Sequence, residues 1–430
     1  MKEKTNKLGF WSIVLLGINA IIGSGIFLLP NKAMKLIGPA SMWVIVFDAF
    51  LVISLALCFA EAGGMFKKNG GPYVYAKEAF GEFIGFEVGF MKWAIGIIAW
   101  AAMAVAFTTA LGTIWPEAST GTTQKVIVVA ILGGLGVVNI IGVNISKVLN
   151  NVITVGKLVP LVMFVTIGIF FIKGGNFSPM FPGGHYTSGS FGEAALLIFY
   201  AFTGFESIAV AAEDMDRPEK NIPKAIITVI LIVSAFYLLI QAVSIGILGP
   251  ELAKSAAPVA DASKIFLGPI GGAVVIAGTL VSIGGINIAA SFITPRSGVA
   301  LAEDGLIPKS VAKKGPTGTP ILAIIITVGL AIPLALSGSF AKLAAISVVS
   351  RFAQYLPTCL SVLILRKKRP DLKSTFTIPF GPVIPVIAMA VSVWLLLQAT
   401  SDKIIWGLGG ILVGIPVYFA MKYFNKRQEA

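Results

Sequence analysis

"AIIGSGIFLLP", Ala20 to Pro30, decides how this 430-residue chain is read. It lies inside an otherwise unbroken apolar run, yet it carries Gly23, Ser24 and Gly25 at its middle. Glycine costs about 1 kcal/mol against alanine in a helix interior. A break in hydrocarbon also leaves backbone N–H and C=O groups without water. Groups left free at such a cost point to a ligand that uses them.

Working outward, the chain is 56% hydrophobic and only 12% charged, against about 25% charged residues in a soluble domain. Apolar runs of roughly 20 residues recur, each long enough to span a bilayer. They fall at 8–30, 40–66, 84–112, 125–144, 149–172, 191–213, 225–249, 269–295, 320–338, 343–365, 383–400 and 404–424. The expected fold is an all-α polytopic membrane protein with 12 transmembrane helices, forming one domain over residues 1–430. A membrane β-barrel would need short alternating segments instead. No loop is long enough for a catalytic domain. No G-x-x-x-x-G-K-[ST] phosphate loop occurs, which argues against ATP-driven transport by this chain alone.

Placing the N-terminus inside puts most of the 33 Lys and Arg residues on inner segments and far fewer on outer loops. The positive-inside rule then places both termini in the cytoplasm, with "RKKRPDLK", Arg366 to Lys373, as the densest inner cluster. The net charge of +13 is mostly this topology signal, and nucleic acid is not expected as a partner. The start "MKEKTNK" with its apolar run resembles a signal peptide, but the run is too long and lacks a small-residue cleavage site. It reads as a retained first span. Cys58 and Cys359 lie inside spans, so a disulfide-linked partner subunit is not expected. No metal-ligand cluster and no cofactor motif is present, and His185 reads as a solvated loop residue.

Span 6 is interrupted as well, at "FYAFTGFES", with Thr203, Gly204, Phe205 and Glu206. Five spans begin with each break, and the two halves, 8–172 and 191–365, run in opposite orientation. Spans 11 and 12, 383–424, stand apart. Matching interruptions in inverted halves point to a transporter site at the bilayer midplane. Glycines that only let helices pack closely do not account for the second, matching break. At the first break, the outer half-helix from Ser24 to Phe27 offers N–H groups and the positive dipole end to an anion. The inner half ends near Ile21 and Ile22, and its carbonyls, with those from Tyr200 to Thr203, suit an ammonium. Two such poles match an α-amino acid zwitterion. The Ser24 hydroxyl adds a donor, and Tyr200 is placed to lid the ligand or to act as a plain packing residue.

Charges inside spans are functional candidates by default. Lys157 in span 5 is either a proton carrier or a fixed cation in the place of a metal ion; snorkelling to the inner face is the structural alternative. Glu206 and Arg351 form either an ion pair or separate functional groups, Arg351 then reading an acidic substrate side chain. Asp48 belongs to the same class, whereas Lys92 and Glu61 read as interfacial.

"GSGIFLLP", "AEAGGMFKKNGGPYVYAKEAFG", "FTGFES" with "AEDMDRPEKNIPKAI", "PRSGVALAEDGLIPK" and "LILRKKRPDLKSTFTIP" occur in the chain. Together they resemble the amino acid–polyamine–organocation superfamily, in particular bacterial relatives of the L-type amino acid transporters. The resemblance implies a five-plus-five inverted-repeat (LeuT-like) fold with two extra C-terminal helices, helices 1 and 6 being broken at mid-membrane. It implies a substrate carboxylate on Ser24 and Gly25 with N–H groups of Gly23 and Ile26, and an α-amine on carbonyls of Ile21, Tyr200 and Thr203. Tyr200 would be the gate. Lys157 would stand where sodium-coupled relatives bind sodium, which argues against sodium coupling. Glu206 would match an acidic residue used in gating or proton sensing. Arg351 has no match in the family pattern. The side-chain pocket would be walled by "GGINIAASF", with Asn287 as its best candidate.

The expected function is secondary active transport of L-amino acids across the cytoplasmic membrane by alternating access. Small or medium neutral substrates come first, with proton symport or exchange against a second amino acid as the coupling. Cationic amino acid or amine antiport comes second, acidic substrates third. A non-transporting sensor would carry a longer tail than "KYFNKRQEA". A channel would need a continuous polar lining, and an enzyme a nucleophile–base or metal constellation.

Overall fold

The computed structural model describes residues 9–66, 71–142, 147–208, 215–372, 374 and 376–429. The helices are α1 (Phe10–Ile21), α2 (Ser24–Leu28), α3 (Pro30–Ile37), α4 (Ser41–Met65), α5 (Pro72–Phe80), α6 (Glu82–Leu111), α7 (Gly121–Ile141) and α8 (Lys147–Gly168). They continue as α9 (Ser190–Phe202), α10 (Pro218–Leu248), α11 (Pro258–Glu303), α12 (Ile321–Leu336), α13 (Phe340–Lys368), α14 (Val383–Leu397) and α15 (Ser401–Glu429). Short 3₁₀ turns link several of them, and no strand occurs among the described residues. A helix satisfies every backbone group within its own segment, the condition hydrocarbon imposes.

Eight helical stretches among the described residues are long and apolar enough to cross a membrane, and four shorter apolar helices lie at Phe10–Ile21, Val155–Phe171, Ile321–Leu336 and Val383–Leu397. Helix occupies most of the described part of the twelve apolar runs in the sequence; residue 8 of the first, residues 143–144 of the fourth and residues 209–213 of the sixth lie outside the described residues. The outer surface is what a bilayer accepts. Phe170, Ile270, Leu412 and Leu397 are more than two-thirds exposed, and many other large apolar side chains are exposed with them, unlike the surface of a soluble monomer.

Three boundaries differ from the hydropathy reading. The segment after α4 reads as loop by hydropathy, but 72–80 forms α5, begun by Pro72 at its first position and ended at Gly81. Proline is preorganised for a helix start. The eighth run, expected at 269–295, is part of α11, which reaches Glu303 and bends at Gly268, just before Pro269. Polar residues at its end hide the last two turns from a hydropathy window. Finally, α3 starts afresh at Pro30, a few residues beyond the first break.

The core centres on α6, which packs against α11, α13, α12, α15 and α7. Trp100, with no exposed surface, fills its middle, and Trp93 Nε1 donates to Thr327 Oγ1 of α12 at 3.0 Å. A second layer is formed by α4 against α10, with α9 against α4 and α13. The short α2, beyond the first break, contacts α6, α11 and the second interrupted helix, α9.

Candidate functional site

At the first interruption α1 stops at Ile21, Ile22 is extended (φ −70°, ψ 100°), and Gly23 leaves the helical region (φ −133°, ψ −146°). Helix resumes at Ser24, and the residues from Ser24 to Leu28 are all buried. The first four N–H groups of any helix lack an intrahelical partner. With Gly23 as the N-cap, those of Gly23 to Ile26 are therefore left free at the gap.

At the second interruption α9 stops at Phe202 and Thr203 is extended (φ −70°, ψ 150°). Gly204 follows at φ +116°, and a 3₁₀ turn runs over 205–208. A Cβ on Gly204 would stand 2.5 Å from the Ala20 carbonyl oxygen. Its backbone angle and this close approach both demand glycine. A Cβ on Gly25 would lie 2.7 Å from Ala201 Cα, so the two interrupted helices also touch at the start of α2. The breaks, remote from one another in sequence, form one locus.

The carbonyl groups at this locus have specific partners. Lys157 of α8 has no exposed surface. Its Nζ donates to Asn19 O at 2.6 Å and Ile22 O at 2.8 Å. The ammonium thus sits at the carbonyl end of α1 instead of snorkelling outward. Tyr237 of α10 donates its hydroxyl to Ala201 O at 2.9 Å and reaches Ile21 O at 3.3 Å. The Tyr200 carbonyl accepts from the Thr203 N–H at 3.2 Å and the Thr203 hydroxyl at 2.8 Å. Two of the three carbonyls expected to hold an ammonium, those of Ile21 and Tyr200, therefore already have a donor within the protein.

Glu206 is buried and closes the second break. Its carboxylate accepts from the Gly204 N–H at 3.0 Å, Gln354 Nε2 at 3.4 Å and the Tyr355 hydroxyl at 3.2 Å. It is also ion-paired with the Arg351 guanidinium. Of the two readings of Glu206 and Arg351, the geometry is that of the pair. In this structure the counter-charge of Arg351 comes from the protein.

The wall around Ser24 comes from α6, α9, α11 and α13. Ser24 Oγ donates to Met103 Sδ at 3.4 Å and lies 3.5 Å from Tyr200 Oη. The Tyr200 ring meets Phe340 edge-on at 5.6 Å. Ile286 Cδ1 and the Met103 methyl crowd the Cα of Gly23. Asn287 Nδ2 donates to the carbonyls of Met103 and Ile283, each at 3.0 Å. Its Oδ1 is buried with no hydrogen-bond partner among the described residues. About 10 Å further along α6, a narrow apolar cleft, with room for no more than about one water molecule, is bordered by Phe27, Leu28, Ala110, Ile276 and Thr279.

Other charged positions fall elsewhere. Glu61, expected at the interface, is only 2% exposed. It receives two bonds at 2.6 Å from Arg366 and one at 2.7 Å from the Ile378 N–H. This fork-on-carboxylate pair ties the ends of α4 and α13 to the segment before α14. Asp48 is fully buried, with no partner for either oxygen among the described residues. Cys58 and Cys359 are buried free thiols, and His185 is exposed. Sequence reasoning missed Met103 and Tyr237. A tyrosine in the apolar run "LIVSAFYLLIQ" carries the signal, since a hydroxyl in hydrocarbon must find a partner.

Apolar spans around a pair of abutting helix breaks, with unpaired N–H groups on one side, define a polytopic membrane protein with a small polar site in its interior. The amino acid permease family profile matches residues 8–421, and the chain belongs to that family. An uncharacterised transporter of Mycobacterium tuberculosis is 33% identical, over 97% of this chain and 91% of its own length. The serine/threonine exchanger of Bacillus subtilis is 30% identical over 97% of both chains. The branched-chain amino acid permease of Bacillus subtilis is 27% identical over 97% of this chain and 93% of its own.

Proposed function

We propose that this chain is a sodium-independent secondary transporter of small and medium neutral L-amino acids, working by alternating access in the cytoplasmic membrane with both termini inside. The observation that carries the proposal is the abutment of the two helix breaks with Lys157 at one of them. The substrate carboxylate lies on Ser24, Gly25 and the N–H groups of Gly23 and Ile26. The α-ammonium takes the remaining lone pair of Ile21 and the Thr203 carbonyl, beside Tyr200 and Gly204. Tyr200 closes over the ligand. The Lys157 ammonium neutralises the carbonyl end of α1, the task a bound cation would otherwise perform.

The charge balance supports neutral substrates. Glu206 and Arg351 cancel one another, and the wall formed by Met103 and Ile286 is apolar. A cationic or acidic side chain would arrive there without a free counter-charge, at the desolvation cost of an unpaired ion. The hydroxylated and branched aliphatic amino acids in the names of two relatives are both neutral. The fold proposed for this function is two inverted five-helix repeats, 8–172 and 191–365, with 383–424 as two added helices.

The test is uptake of labelled neutral, cationic and acidic L-amino acids into proteoliposomes holding the purified chain. One set carries an imposed inward proton gradient, the other trapped unlabelled amino acid. Neutral amino acids are expected to enter in at least one set. Gradient-driven accumulation identifies proton symport and makes Lys157 or Glu206 the coupling group. Entry only against trapped amino acid identifies exchange and leaves Lys157 a fixed cation. Binding without flux in either set would overturn transport in favour of a sensor.

A further inference from the structure

Asn287 of α11 is 2% exposed and stands within one residue of the wall at the first break, since the preceding Ile286 reaches Gly23. A carboxamide has two N–H donors and one acceptor oxygen. Both donors are used on backbone carbonyls, Met103 O of α6 and Ile283 O one turn back along α11. Turning the amide over would face its oxygen toward those two carbonyls, so the orientation is fixed by the network. Oδ1 is then the leftover group, buried and without a hydrogen-bond partner among the described residues. Buried polar atoms are satisfied in the large majority of cases, and an exception calls for a reason.

The neighbours of Asn287 link that exception to the breaks. The residue whose carbonyl holds the amide, Met103, also accepts from Ser24 Oγ through its thioether and borders Gly23 with its methyl. Ile286, which reaches Gly23 from the same helix, is apolar. Through Met103, the surroundings of the first break thus connect to hydrocarbon and to one buried acceptor in need of a donor.

We infer that Asn287 Oδ1 is the side-chain acceptor of the substrate site, and that the preferred substrates are small neutral L-amino acids whose side chain carries a hydroxyl donor. This rests on the transporter reading above and narrows it. Threonine and valine nearly match in shape and differ in one hydroxyl, as do serine and alanine. A site built to bond a hydroxyl discriminates against the analogue lacking it far more strongly than an apolar pocket discriminates against an added hydroxyl.

The experiment is proteoliposome uptake by the full chain, comparing threonine with valine and serine with alanine. The wild type is expected to favour the hydroxylated member of each pair by about tenfold or more in kcat/KM, about 1.4 kcal/mol per tenfold step. Asn287→Leu is expected to lose that preference, through a fall for threonine with valine retained. Asn287→Ser, which keeps an acceptor, is expected to retain part of it. If Asn287→Leu does not fold, the wild-type ratios and the serine variant still decide. Equal uptake of threonine and valine by the wild type would overturn the inference, as a buried water or the α-ammonium on Oδ1 would produce. The transporter reading would survive that result. It fails only if no amino acid moves at all.

Discussion

The two helix breaks solve opposite problems. At the first, a helix ends and presents carbonyls, and one buried ammonium, Lys157 Nζ, binds two of them directly at 2.6 and 2.8 Å. At the second, the Gly204 N–H is bound by the Glu206 carboxylate, and the carboxylate is in turn neutralised by Arg351 and bonded by Gln354 and Tyr355 of α13. Carbonyl dipoles need only a cation. A free amide N–H needs an acceptor, here a carboxylate, and a buried anion needs its own cation. In the proposed repeats, α8 and α13 are the fifth helices of the two halves. Each half thus brings a cation from its last helix to a break, directly in one case and through a carboxylate in the other.

The largest effect in this comparison is expected from Lys157→Ala. It leaves two buried carbonyls without a charged donor, each bond contributing roughly 1.5–3 kcal/mol. Uptake in proteoliposomes should fall by about a hundredfold or more, and normal uptake would mean that the ammonium is dispensable. Next comes Glu206→Gln, which strands the Arg351 charge at a cost of about 3–5 kcal/mol. Thermal unfolding in detergent should show the loss, and adding Arg351→Met should recover much of it. A double variant no better than the single would break the pairing argument. Gly204→Ala places a Cβ against the Ala20 carbonyl in a backbone region that costs about 1–3 kcal/mol, again read from thermal unfolding. The smallest effect belongs to Tyr200→Phe. The hydroxyl stands 3.5 Å from Ser24 Oγ, near the limit of a hydrogen bond. The aromatic contact with Phe340 is kept, so KM should move by only about twofold or less.

Much of this arrangement is legible in the sequence, for a definable reason. Hydropathy over about 20 residues is a long-range signal, and clustered glycine at the centre of such a run marks a place where the helix can open. The helices and both breaks can therefore be located. Lys157 is legible as a buried charge, because a lysine in hydrocarbon must have a purpose. Its two carbonyl partners are not, since they depend on how α8 crosses α1. Glu206 and Arg351 are visible as two charges, but their pairing spans 145 positions and leaves no local pattern. Glu61 reads wrongly as interfacial because its burial is produced by Arg366 and the Ile378 amide, both remote in sequence. The extension of α11 to Glu303 and the helix α5 escape notice because polar helices carry no hydropathy signal. Met103 and Tyr237 escape it because an apolar side chain and a packed ring look alike whether they line a site or fill a core.

The central claim is that the Lys157 ammonium does the work of a bound cation at the first break. The most direct test is the initial rate of neutral amino acid uptake into proteoliposomes in sodium buffer and in choline buffer, for the wild type and Lys157→Ala. Equal wild-type rates in the two buffers, with the variant inactive in both, are the predicted result. Wild-type uptake that requires sodium, or a Lys157→Ala variant as active as the wild type in choline, would contradict the account.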